Sequence, residues 1–129
     1  MNENAWSWIL QLLGRLHPLV VHFPIGLLVV ALFMEMLTLN GKRPGLREGI
    51  NWMVYLGALS AILSTSLGWF LKTFDDYSGD LIEWHQNLGI ATALFSAVTA
   101  YILYKSSKLI AYRASLVISV VLLTITGHL

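Results

Sequence analysis

The chain has 129 residues, of which 57% are hydrophobic and 12% charged, with a mean hydropathy of +0.69. Soluble domains carry about 25% charged residues, so this composition cannot cover a water-facing surface and belongs in a lipid bilayer. A net charge of +1 gives no basis for nucleic-acid binding. The absence of cysteine excludes disulfides, thiolate metal sites, a cysteine nucleophile and covalent c-type haem attachment within the chain.

Residues 1–5, MNENA, lack the basic region of a cleavable signal peptide, so the first membrane helix is expected to direct its own insertion. Residues 5–16 place Ser7, Gln11, Gly14 and Arg15 at i, i+4, i+7 and i+8. That is one polar stripe on an otherwise apolar helix carrying Trp6 and Trp8, the pattern of an amphipathic helix lying in the membrane interface.

Membrane helix one, about residues 18–39, opens with GRLHPLVVHFPIG. Pro18 suits a first helical turn, where its missing N–H costs nothing. Pro24 cannot donate to the carbonyl of Val20, which predicts a kink beside His22 and a carbonyl open to an imidazole N–H. Glu35 lies toward the other end, where an acid is costly unless paired. An ion pair with Arg113 or Lys42 is the favoured reading, and a step in a proton path the alternative.

Helix two, about 50–71, carries a stripe of small residues, Gly57, Ala61, Ser64 and Gly68, suited to close helix packing. Helix three, about 81–104, aligns His85 with Gly89, Thr92, Ser96 and Thr99 on one face. Helix four, about 111–129, ends on His128. Each segment approaches the roughly 20 residues that cross a hydrocarbon core about 30 Å thick. The connections are short and polar. The fold class is therefore all-α: an integral membrane four-helix up-down bundle with an N-terminal interfacial helix, one transmembrane domain over residues 1–129.

Lys42, Arg43 and Arg47 follow helix one, and Lys105, Lys108 and Arg113 follow helix three, whereas the loop between helices two and three holds Lys72 but also Asp75, Asp76 and Asp80. The positive-inside rule puts the basic loops in the cytoplasm and both termini outside, with Arg15 a contrary charge. All four histidines, His17, His22, His85 and His128, then fall in the outer leaflet on three helices. Imidazole within a membrane marks a functional site when it is paired or ligated, and histidine is the commonest metal and haem ligand.

Equal depth pairs His22 with His85 across the bundle as ligands of one b-type haem. Gly26 and Gly89, each four residues after its histidine, would let a porphyrin approach the backbone. His17 and His128 form a shallower pair, and Arg15 is a propionate partner. The four histidines are equally candidates for a transition-metal site, and interfacial histidine or small-residue packing needs no cofactor at all. No phosphate loop, G-x-S-x-G or H-E-x-x-H is present, and no catalytic residue is assigned.

The segments GRLHPLVVHFPIGLLVVALFMEML, YSGDLIEWHQNLGIA and AYRASLVISVVLLTITGHL resemble a bacterial membrane domain of unknown function, family 2231. The resemblance covers nearly the whole chain, with LHPLVVHFPI its most specific part. It implies a multi-pass protein of the bacterial inner membrane, of the kind often followed by periplasmic c-type cytochrome modules. It also implies a longer parent chain, since the family pattern continues past GHL. The expected function is a membrane redox or cofactor-binding module serving a periplasmic partner. The alternatives are a cofactor-free anchor or assembly module and a histidine metal site for sensing or transport.

Overall fold

Within hydrocarbon the backbone has no water to bond, so each apolar segment closes its own hydrogen bonds as a helix. The computed structural model describes residues 2–39, 44–74, 79–105 and 109–128, and among them every regular element is helical. The helices are α1 Asn2–Arg15, α2 His17–Val20, α3 His22–Leu37, α4 Arg47–Phe74, α5 Asp80–Lys105 and α6 Leu109–His128. A 3-10 turn at Pro44–Leu46 leads into α4. Four stretches are long and apolar enough to cross a membrane: His17–Leu37, Arg47–Trp69, Asp80–Lys105 and Leu109–His128.

The first stretch is interrupted at Val21, between α2 and α3. Pro24 supplies no N–H there, and the bond from the Ile25 N–H to the Val21 carbonyl is stretched to 3.4 Å. His22 does use a nearby carbonyl, but that of Leu19 at 3.3 Å rather than Val20.

Consecutive helices from α3 to α6 pack side by side, and α6 returns to pack on α3, so α3 and α5 face each other diagonally, as do α4 and α6. The apolar centre is built from Leu28 and Ala31 of α3, Ile50 and Val54 of α4, and Leu116 and Leu123 of α6, with Tyr112 among them. Leu28 sits against Gly57, where an added Cβ would lie 2.8 Å from the leucine Cδ2; the glycine sets that close approach. Hydroxyls bridge α5 and α6: Thr99 bonds Ser115, and its oxygen also lies 3.2 Å from Ser119. α1 packs against α4 with Trp6 and Trp8 exposed.

Exposed aromatic residues mark two levels. Trp52 and Trp69 on α4, and Tyr101 and Trp84 on α5, are all turned outward. Each pair is 17 residues apart in sequence, or about 25 Å along the helix axis at 1.5 Å per residue. Amphipathic rings concentrate at the two interfaces of a bilayer, so these levels frame a hydrocarbon core of ordinary thickness.

At one end of the bundle Glu35, 2% exposed, is the hub of three helices. It accepts hydrogen bonds from Arg47 of α4 and, at 3.0 Å, from Arg113 Nε of α6. Arg113 was foreseen as its partner and Arg47 was not; Lys42 lies outside the described residues. Truncating one partner of a buried ion pair costs about 3–5 kcal/mol. The arginine side chains remain 31% and 25% exposed, which keeps the cost at the lower end. Glu35→Ala is therefore expected to destabilise the bundle by about 3 kcal/mol, read as a fall in the thermal unfolding midpoint in detergent. An unchanged midpoint would show that this ion cluster does not hold the helices.

Candidate functional site

The opposite end of the bundle holds a cavity of about 350 Å³. Val21, Pro24, Ile25, Ala61 and Leu123 give it apolar walls. Two histidines enter it from diagonal helices, His17 from α2 and His85 from α5, with ring centres 6.2 Å apart and planes at 89°.

Each ring is anchored through Nδ1 to a backbone carbonyl on the neighbouring helix. His17 bonds the carbonyl of Ser64 on α4 at 2.7 Å, and His85 bonds that of Thr126 on α6 at 3.0 Å. Both carbonyls are available for local reasons. Thr126 falls in the last turn of α6, where helix carbonyls have no intrahelical partner. Ser64 lies four residues before Gly68, and the missing side chain leaves room for the ring: a Cβ on Gly68 would come within 3.0 Å of His17 Cε1.

A carbonyl only accepts hydrogen bonds, so Nδ1 carries the proton in each neutral ring and Nε2 keeps its lone pair. Both rings line one cavity, and each keeps one nitrogen able to act as a ligand. A bond of this kind, from the ring nitrogen that does not bind metal to a carbonyl, fixes the tautomer of metal-ligating histidines.

The sequence expectations divide at this point. The structure brings His85, Gly89 and His17 together in the lining of the cavity. His22 does not: it is exposed, and the diagonal partner of His85 is His17. Helical phase explains the correction. Residues 17, 21, 24, 28, 31 and 35 form a single inward stripe ending on buried Glu35. Five residues turn a helix by about 140° beyond a full turn, so His17 and His22 cannot both face inward.

Gly26 shares the outward face of His22, with nothing within 4 Å of an added Cβ. His128 and Arg15 are exposed and do not line the cavity. Lys72 and Gln86 do line it, although the sequence reading had not singled them out. Among the described residues no three His, Cys, Asp or Glu side chains gather at a metal-sized site.

A family model described as "Predicted membrane protein (DUF2231)" matches residues 15–129, and the chain belongs to that family. No curated protein and no solved structure matches it.

The contact between Gly68 and His17 can be isolated by comparison with Gly26. Alanine improves helix propensity equally at the two positions, but only at Gly68 does the new methyl meet a ring. Gly68→Ala is expected to be less stable than Gly26→Ala by about 1 kcal/mol or more, measured as the difference between their thermal unfolding midpoints. Equal midpoints would place the His17 ring away from Gly68.

Proposed function

For this member of a membrane-protein family we propose a haem-binding electron-transfer module, in which His17 and His85 are the axial ligands of one b-type haem. The observation that carries the reading is the pair of carbonyl-anchored imidazoles lining a single apolar cavity, each with an Nε2 lone pair left over.

The ligand count favours haem over a bare ion. A structural zinc site takes four protein ligands, and even catalytic zinc takes three. Here two histidines converge without a third candidate among the described residues. A porphyrin supplies four equatorial nitrogens itself, so two axial imidazoles complete the iron.

The spacing is compatible. Two imidazoles bound through Nε2 on opposite sides of one metal, at about 2 Å each, hold their ring centres about 6 Å apart, close to the observed 6.2 Å. The cavity volume of about 350 Å³ lies within the range of roughly 300–1,000 Å³ for cofactor pockets.

Charge supports an orientation for the module. Six of the eight basic residues lie at or beside the α3–α4 and α5–α6 connections, and Asp75, Asp76 and Asp80 fall at the α4–α5 connection. In a bacterial inner membrane this turns the histidine end outward, toward a periplasmic electron partner. A haem held there would supply the electron-transfer chemistry, and the part of His17 and His85 would be to hold its iron.

The test is a visible spectrum of the protein purified from membranes in mild detergent with haem supplied. The wild type is expected to give a low-spin Soret band that sharpens on reduction. His17→Ala and His85→Ala should each remove that spectrum, while His22→Ala and His128→Ala leave it intact. A featureless wild-type spectrum, or equal effects at all four positions, would favour the cofactor-free anchor.

A further inference from the structure

Lys72 stands three residues beyond Trp69 on α4, about one turn outside the aromatic level that borders the hydrocarbon. It is half-buried at the rim of the histidine cavity, and its Nζ donates to Gln86 Oε1 at 2.7 Å. That partner is neutral. The ion pairs of Glu35 lie at the far end of the bundle, and no described carboxylate pairs with Lys72.

An ammonium can only donate, so the Gln86 atom facing it is the carbonyl oxygen. The amide nitrogen of Gln86 then keeps two N–H donors at the same rim. Lysine and glutamine together present hydrogen-bond donors and one positive charge, with the glutamine oxygen already engaged. The imidazoles lie just inside this rim, His85 directly preceding Gln86 on α5, and the wall deeper in is apolar, built by Ile25, Ala61 and Leu123. The cavity is thus matched to an amphipathic guest: a flat apolar body inside and an anionic group at the mouth, level with the membrane surface.

We propose that Lys72 and Gln86 form an anion seat that takes a carboxylate of a tetrapyrrole whose ring lies between His17 and His85. This rests on the cofactor reading above and assigns the acid contact to Lys72 instead of Arg15. The seat orients the guest. With its acid edge drawn to Lys72 and Gln86, the guest would lie beside the His17 and His85 rings, which line the same cavity. A lysine does this from a flexible stem, as a point charge, without the fixed fork of an arginine.

The experiment is a fluorescence titration of the full chain in detergent with free-base protoporphyrin IX and with its dimethyl ester. Neither probe contains a metal, so neither depends on ligation by histidine. The diacid is expected to bind about tenfold more tightly than the ester, the size of one charge-assisted hydrogen bond. Lys72→Gln should bring the ratio to about one, and Lys72→Arg should retain it. The ratio should also survive His85→Ala, which abolishes only the haem spectrum; loss of iron ligation and loss of the seat are therefore read separately. Equal binding of acid and ester by the wild type, or binding of neither, would overturn the proposal. Displacement of the porphyrin by an equal concentration of palmitate would overturn it too, because the seat would then serve a simple fatty acid.

Discussion

A polar side chain inside a hydrocarbon slab has no solvent to fall back on, so it must be answered by another part of the protein. Glu35 shows what this demands. One carboxylate, 2% exposed, draws Arg47 from α4 and Arg113 from α6, and Thr38 donates to the carbonyl of Glu35 one turn on. The requirement to compensate one charge therefore fixes the rotation of three helices. Once α3 is set with Glu35 inward, Ala31, Leu28, Pro24, Val21 and His17 follow it on the same face.

The histidine end obeys the same rule by different means. There the rings of His17 and His85 are answered through Nδ1 by backbone carbonyls. One of these is an unspent helix terminus and the other is uncovered by a glycine. Satisfying Nδ1 in this way leaves Nε2 aside as an acceptor in each ring. The chemistry of the cavity is thus a by-product of how the fold meets its polar obligations: anchoring the rings on one side arms them on the other. Hydroxyls on α5 and α6 complete the pattern, since Thr92, Thr99, Ser119 and Thr126 each donate back to a carbonyl of their own helix. Ser115 of α6 then donates to the Thr99 oxygen of α5, a link across the interface that requires no charge.

Much of this was legible in the sequence. Segment length and hydropathy gave the four membrane helices, and short polar connections gave neighbouring packing. The isolated acid gave the Glu35–Arg113 pair. The stripe His85, Gly89, Thr92, Ser96 and Thr99 reads directly as the inner face of α5. Choosing His22 over His17 failed because depth alone was compared. Depth is one cylindrical coordinate of a helix and the angle is the other. Counting back from Glu35 in steps of four and three reaches His17, so the signal was present. Pro24 obscured it by suggesting that the helix changes direction before that point. Arg47, Gly68 and Lys72 depend on which residues of α4 meet α2, α3 and α5, a relation that no local pattern encodes.

The central claim is that His17 and His85 are held with Nδ1 protonated and Nε2 bare, ready to ligate. Nitrogen NMR of the protein in lipid nanodiscs, with labelled histidine and single substitutions for assignment, reads the tautomer of each ring directly. The account predicts an N–H signal at Nδ1 and an unprotonated signal at Nε2 for both residues in their neutral form, with the two Nε2 signals the ones displaced when haem is added. A proton on Nε2 of either ring, with Nδ1 bare, would mean that the carbonyl anchors do not exist, and the ligand site built on them would fall with them.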